Sequence, residues 1–139
     1  MRHPARLILT LALVSLAACS GGDELDGTSW RAVQIARQPA MEEVAATAAF
    51  ADGEVSGSSS CNSYTGTYEA SSGGAYGGAP TLSITNVGGT EMACETPVMD
   101  QEARFVEALL SATTYRLDAG RLELYEDETI VAAFERSNG

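Results

Sequence analysis

Most of the chain consists of short segments in which apolar and polar residues alternate, and turn residues separate one segment from the next. Alternation with a period of two places the apolar side chains on one face, so each segment is predicted to be a half-buried strand. Asp52-Gly53 and Ala119-Gly120 each lie between two such segments and are predicted turns. The predicted strands cover residues 28–35, 47–50, 54–56, 62–69, 81–87, 115–117, 122–125 and 129–134. This pattern predicts a mainly β (α+β) fold, either a curved antiparallel sheet or a partly closed barrel.

One segment, covering about residues 97–111, has helical periodicity instead. Val98, Phe105 and Leu109 recur at helical spacing and share one face, which is predicted to pack on the open side of the sheet. Pro97 suits the first helical position, and Thr96 is predicted to cap the helix. The polar residues predicted to face solvent are Asp100, Gln101, Arg104 and Glu107.

The charge of the chain excludes some partners. Its 139 residues include eight basic and 19 acidic ones, and the net charge is −11. Two of the arginines, Arg2 and Arg6, belong to a predicted leader, so the mature chain keeps six against 19 acids and carries −13. Phosphates would repel such a chain, so no nucleic-acid partner is predicted.

The residue inventory also excludes several catalytic chemistries. The only histidine is His3, within the predicted leader, and there is no lysine. Catalytic triads with histidine, Cys–His pairs, Ser–Lys dyads, Schiff bases and histidine-containing zinc sites are therefore excluded from the mature chain. No metal, cofactor or enzymatic activity is predicted.

The leader has the three parts of a secretion signal. Arg2 and Arg6 precede an apolar run, residues 7–16, that is too short to span a bilayer. Leu16-Ala17-Ala18-Cys19 then resembles the bacterial lipobox, which implies cleavage before Cys19 and its acylation. The predicted organisation is a signal peptide over residues 1–18, a lipidated cysteine and short linker over 19–26, and a folded domain over 27–136. The predicted location is the cell envelope, and Ser20 favours the outer membrane, facing the periplasm, in a bacterium with two membranes.

Two further cysteines, Cys61 and Cys94, remain in the mature chain. In an exported protein such a pair predicts a disulfide, which would stabilise the fold by about 3.5–4 kcal/mol in the chain-entropy model. A metal-binding or redox role is the alternative, although the chain has no CxxC motif.

Carboxylates are the remaining candidates for chemistry. Glu91, Glu95, Asp100 and Glu102 surround Cys94 and the start of the helix, but nothing in the sequence pairs them across a cleft. A second acidic cluster precedes the last strand and is interpreted as a solvated turn, with a weak cation site as the alternative. Its members are Glu123, Glu126, Asp127 and Glu128.

Three segments, in order, resemble the META domain family, which includes the HslJ heat-shock lipoproteins. They are LDGTSW at 25–30; VSG at 55–57 with CNSYTGTY at 61–68; and TEMAC at 90–94, followed by Met99, Glu102 and Phe105. Ser60 stands where the family usually has glycine, so a difference in the backbone is expected at that turn.

The resemblance implies a compact antiparallel β fold with helical packing, and no established enzymatic activity. Some members are linked to heat shock and to novobiocin tolerance. The residues that match the family pattern are Trp30, Gly57, Cys61, Asn62, Gly66, Tyr68, Met92, Cys94 and Glu102. Most are interpreted as structural, with Gly57 and Gly66 at turns or bulges and Asn62 bonding backbone. The alternative is that Asn62 and Glu102 line a pocket.

The leading functional hypothesis is therefore a monomeric, non-catalytic envelope lipoprotein that contacts the membrane through its anchor and binds an unidentified envelope partner or ligand, possibly under stress. The alternatives are a carboxylate-based hydrolase and a small-ligand or inhibitor-type binding module inside the curved sheet.

Overall fold

A computed structural model describes residues 23–73 and 77–138. The predicted signal peptide and Cys19 lie outside these residues. The described part contains strands β1 (Thr28–Ile35), β2 (Gln38–Pro39), β3 (Thr47–Ala51), β4 (Glu54–Ser58), β5 (Ser63–Ser71), β6 (Thr81–Gly89), β7 (Thr114–Asp118), β8 (Arg121–Glu126) and β9 (Thr129–Arg136). One helix, α1 (Thr96–Ser111), lies between β6 and β7 in the chain.

The strands form one antiparallel sheet that curves into a ring. Its order is β2-β1-β3-β4-β5-β6-β7-β8-β9, and β1 also pairs with β9. β1 therefore has neighbours on both edges, with β3 opposite residues 28–31 and β9 opposite residues 30–35. The short β2 pairs only with the end of β1. The predicted mainly β fold with one packed helix is confirmed.

Tight turns join the hairpins. Asp52 and Gly53 have φ of 53° and 79°, and Ala119 and Gly120 have 44° and 79°, so both predicted turns place two residues in the left-handed region. A third such turn, at residues 36–37, joins β1 to β2. It was not predicted, because alanine and arginine are not typical of this conformation.

The helix packs Phe105 and Leu109 into the core, and both are fully buried. The Phe105 ring contacts Tyr64 of β5 and Phe134 of β9 edge-on, at centroid distances of 5.6 and 6.2 Å. Two details of the predicted helix were wrong. Glu95 occupies the N-cap without a side-chain hydrogen bond, so Thr96 is not the cap.

The second error concerns Gln101, which was predicted to face solvent and is instead fully buried. Its amide finds hydrogen-bond partners on segments that are distant in the sequence, and these partners make its burial possible.

Apolar side chains from all parts of the ring form one core. Its largest members include Trp30, Phe50, Phe105, Tyr115 and Phe134. Trp30 Nε1 donates a 2.7 Å hydrogen bond to Thr28 Oγ1. Side chains thus fill the inside of the ring, where the ligand-module hypothesis expected an apolar cavity.

One junction in the ring is weakly paired. β6 and β7 share a single residue pair, Thr81 opposite Thr114, whereas β5 and β6 pair over most of their length. We call this junction the β6–β7 seam.

Candidate functional site

Asn62, which follows Cys61 in the connection from β4 to β5, is the centre of a polar cluster. Its Oδ1 accepts hydrogen bonds from Met92 N at 2.7 Å and from Thr90 Oγ1 at 2.9 Å. Its Nδ2 donates to Met92 O at 3.2 Å and to Glu102 Oε2 at 3.0 Å. An asparagine side chain offers two donors and two acceptor sites, so all of the hydrogen-bonding capacity of Asn62 is used inside the protein.

Glu102, on the first half of α1, completes this cluster. One carboxylate oxygen accepts from Asn62 and the other accepts a short hydrogen bond from Ser59 Oγ. Ser59 is 1% exposed, and Asn62 is 7% exposed. We call Ser59, Asn62, Thr90, Glu102 and the backbone of Met92 the Asn62 cluster; it ties the β4–β5 connection to the segment entering α1 and to the helix itself.

A second polar contact lies beside the cluster. Gln101 Oε1 accepts from Met41 N at 2.7 Å, and its Nε2 donates to Val44 O at 3.1 Å and Ser60 Oγ at 2.8 Å. Ser60 has φ of 105°, in the region that glycine occupies freely. The backbone at this turn is therefore glycine-like although the residue is serine, and the serine hydroxyl gains a buried partner.

The predicted disulfide is present between Cys61 and Cys94, whose Cα atoms are 5.9 Å apart. It joins the same two segments that Asn62 joins. Met92 is held by its backbone, while 58% of its side chain is exposed. Cys94 is also in an exposed segment, so solvent reaches this end of the cluster.

Glycines allow chain segments to approach closely around the cluster. A Cβ on Gly57 would lie 2.5 Å from Thr47 O, and one on Gly89 would lie 1.9 Å from Ser63 O. Gly66 is flanked by the β5–β6 bulge, where a Cβ would lie 3.1 Å from Val87 Cγ2. Gly57 was predicted at a turn or bulge but lies within the β4–β5 pairing, where its role is to make space for β3.

Two motif residues lie away from the Asn62 cluster. Trp30 is in the core, with the Arg136 guanidinium 5.0 Å from its ring centroid. Tyr68 packs edge-on against Phe50 at 4.9 Å, and its hydroxyl is 3.4 Å from both Asp23 carboxylate oxygens. Burial, with added repulsion from Asp23 and Asp26, raises the pKa of Tyr68 to about 12.

Asn62 and Glu102 also border a surface depression of about 200 Å³, together with Glu91, Tyr64 and Gly89. Among residues 23–73 and 77–138, no group of three or more histidine, cysteine, aspartate or glutamate side chains could hold a metal ion. Within the same residues, no helix has the length and apolar character needed to cross a membrane.

The acidic turn is partly engaged in internal contacts. Glu123 accepts from Tyr125 Oη at 2.6 Å and pairs with Arg121 Nε at 2.9 Å. These two hydrogen bonds, Tyr125 first, lower the pKa of Glu123. The other members, Glu126, Asp127 and Glu128, are exposed.

The META domain family model matches residues 23–138, which include every segment described above. The chain belongs to the META domain family. Two solved structures resemble this META domain, and a search of curated proteins returned no match.

The first solved structure is an NMR structure of a protein from Burkholderia xenovorans. It is 28% identical, with a TM-score of 0.63 over 83% of this chain and 85% of that chain. The second is an NMR structure of a protein that is 19% identical, with a TM-score of 0.60 over 80% and 90% of the two chains. Both structures share the fold of this META domain. At 19% identity, the second is similar in fold only.

Sequence reasoning proposed Asn62, Glu102 and the two cysteines, and the structure brings these four together. It missed Ser59, Thr90, Gln101 and Gly89. The Gly88-Gly89 pair at the end of a strand was an available signal, because glycine in a strand often marks close backbone approach. No local signal identified Gln101.

Proposed function

We propose that this META-domain protein is a non-catalytic lipoprotein of the bacterial cell envelope that binds a partner or ligand at the membrane. Participation in stress or antibiotic tolerance is part of the proposal, since the family includes heat-shock lipoproteins. The protein acts as a monomeric, tethered binding domain.

The saturated hydrogen bonding of the Asn62 cluster carries the non-catalytic part of the proposal. Catalytic groups need a free lone pair or proton directed at a substrate. Here all four hydrogen-bonding positions of Asn62 contact the protein itself, and each carboxylate oxygen of Glu102 already accepts one hydrogen bond from within the protein. These side chains therefore serve the fold, which supports a binding role performed elsewhere on the surface.

The leader supports the envelope location. A basic start, an apolar run and Leu16-Ala17-Ala18-Cys19 occur in the order that lipoprotein processing requires. Two or three acyl chains on Cys19 would hold the protein firmly, because each buried methylene contributes about 0.8 kcal/mol. Leu25 is buried in the core, so only the few residues between Cys19 and Asp23 would separate the domain from the membrane.

Intact mass measured on protein extracted from membranes tests the anchor. The expected mass is that of residues 19–139 with a diacylglyceryl group in place of the Cys19 thiol hydrogen, with or without an amide-linked acyl chain, minus two hydrogens for the disulfide. Cys19→Ala is the matched variant and should leave the membrane fraction. Retention of residues 1–18 with an unmodified Cys19 would contradict the anchor.

Crosslinking in intact cells, followed by purification and mass spectrometry, tests the binding role. The expected result is a discrete envelope partner or ligand that is absent when Cys19→Ala mislocalises the domain. A deletion strain should also show altered survival of heat or novobiocin. Turnover of any envelope substrate at an enzymatic rate by the purified protein would contradict the non-catalytic proposal.

The carboxylate-hydrolase alternative makes a separate prediction. Glu91 and Glu102 line the same depression, so they are the pair that such an enzyme would use there. Glu91→Gln is expected to change neither stability nor phenotype, whereas Glu102→Gln should weaken the cluster. A loss of phenotype in Glu91→Gln at unchanged stability would favour the hydrolase.

A further inference from the structure

The hydrogen-bond ladder across the β6–β7 seam stops at Pro80. Leu82 N donates to Thr113 O, and Tyr115 N donates to Pro80 O, both at 3.0 Å. In a regular antiparallel ladder, the backbone N–H of residue 80 would donate a second hydrogen bond to the Tyr115 carbonyl. Proline has no N–H, so this bond cannot form and the Tyr115 carbonyl stays open on this side.

The next position along β7 is also open. Backbone groups of alternate residues point the same way, so the N–H and C=O of Leu117 face the same side as those of Tyr115. Residues 77–80 run alongside, but among the described residues no backbone or side-chain bond reaches either Leu117 group. Among the residues that the structure describes, the Tyr115 carbonyl and both Leu117 groups therefore have no backbone partner, which is the character of an edge strand.

A groove lies along this open edge. It has a volume of about 570 Å³ and is bounded by residues 77–80 on one side and by residues 114–117 of β7 on the other. Ligand sites typically measure roughly 300–1,000 Å³. Tyr115, which lines the groove, is 2% exposed, and the contact between its hydroxyl and the Glu24 backbone falls short of hydrogen-bond geometry.

The charge at the groove favours a cationic occupant. Glu24, Asp127 and Glu128 line it against one cation, Arg116, which gives a net charge of −2. The Arg116 guanidinium is also engaged, 5.8 Å from the centroid of the Tyr125 ring. With a net charge of −11 over the whole chain, the groove attracts basic and repels acidic partners.

We propose that a basic, extended peptide segment of a partner protein binds in this groove as an added strand on β7. Its backbone would pair with Leu117, just beyond the position opposite Tyr115 that Pro80 occupies, and its basic side chains would lie against Glu24, Asp127 and Glu128. This inference rests on the proposed binding function and names the site and the chemistry of the partner.

The test uses the full chain as purified from membranes in detergent and labelled with 15N. The probe is a synthetic six-residue peptide of alternating lysine and valine. The expected result is saturable binding, with the Leu117 amide shifted and protected from hydrogen exchange, while the Thr67 amide in the paired β4–β5 region is unchanged. Replacing the lysines of the probe by glutamates should abolish binding.

Two matched comparisons separate strand addition from charge attraction. Methylating the alternate peptide nitrogens removes the donor that would reach Leu117 O and should abolish binding at unchanged charge. Asp127→Asn/Glu128→Gln should weaken binding about threefold to tenfold. Glu54→Gln/Glu135→Gln makes the same charge change on exposed residues elsewhere and should leave the affinity unchanged.

Equal binding of the methylated peptide, perturbation away from β7, or no binding at millimolar peptide would each overturn the inference. These outcomes leave the mass and crosslinking results on the anchored lipoprotein untouched. Conversely, a soluble, unmodified protein could still bind the peptide, so the two proposals fail separately.

Discussion

The Asn62 cluster and the β6–β7 seam differ in how their polar groups are used. At the cluster, side chains that resemble catalytic or ligand-binding groups are bonded to each other and crosslinked by the Cys61–Cys94 disulfide. At the seam, the side chains are ordinary, but backbone groups of Tyr115 and Leu117 lack partners among the described residues. The motif residues therefore mark where the fold is held, and the available binding capacity lies elsewhere.

Breaking the disulfide should have the largest effect on this contrast. Cys61→Ala/Cys94→Ala, or reduction of the wild type, is expected to lower the free energy of unfolding by about 4 kcal/mol, because the crosslink restricts the unfolded chain. Urea unfolding monitored by Trp30 fluorescence measures this. A loss below about 1 kcal/mol would mean that the Asn62 cluster holds these segments without the crosslink.

Gly89→Ala tests the close packing beside the cluster. The new Cβ would lie 1.9 Å from Ser63 O, so the strands must move apart, at a cost of about 3 kcal/mol. Gly88→Ala is the matched control, because a Cβ there meets nothing within 4 Å and should change stability little. Similar effects of the two substitutions in thermal unfolding would refute the close approach.

Two buried tyrosines, Tyr64 near the Asn62 cluster and Tyr115 at the β6–β7 seam, allow a direct comparison of the two regions. Tyr64 Oη donates to Thr47 O at 2.8 Å, whereas the contact between the Tyr115 hydroxyl and the Glu24 backbone falls short of hydrogen-bond geometry. Tyr64→Phe should therefore cost about 1 kcal/mol, and Tyr115→Phe should stabilise by up to about 1 kcal/mol, measured by urea unfolding. Destabilisation by Tyr115→Phe would show that its hydroxyl is satisfied.

The same tyrosines predict loss of stability in alkali. Burial raises the pKa of both hydroxyls above the ordinary value of 10.0, and for Tyr115 the charges of Glu24 and Asp23 add to it. In the folded state these two hydroxyls remain protonated to a higher pH than in the unfolded state. The stability that they contribute is therefore complete below pH 10.0 and declines as the pH rises above it. Each phenylalanine variant should lose less stability above pH 10.0 than the wild type.

The smallest expected difference is between two substitutions of Ser60. Ser60→Ala keeps φ of 105° and loses the hydrogen bond from Gln101, so it should cost about 1–2 kcal/mol. Ser60→Gly loses the same bond but relieves the backbone, and should be about 1 kcal/mol more stable than Ser60→Ala. Equal stabilities would mean that the backbone is not strained there.

The sequence was sufficient for features that depend on local periodicity. Alternation gave β1 with its observed bounds, and helical spacing placed Phe105 and Leu109 in the core. Asp52-Gly53 gave a hairpin because two left-handed residues suit its turn. Two cysteines in a predicted exported chain gave the disulfide.

Features that depend on contacts between residues far apart in the chain could not be predicted from local sequence patterns. Gln101 looked like a solvent-facing residue because its neighbours in the helix are polar, but its bonds reach residues 41 to 60 positions away. The close approach at Gly89 comes from the register of two strands. The seam could not be predicted either, because a proline before a strand does not reveal which other strand it will lie opposite.

Pairing of the first long strand with the last one makes the ring depend on complete synthesis. Trp30 lies opposite Arg136, more than a hundred residues further along the chain. A nascent chain lacking residues 129–136 would leave β1 and β8 each with a bare edge, ready to pair with a neighbouring chain. A stop codon at position 129 would thus produce an aggregation-prone protein rather than a slightly shorter one.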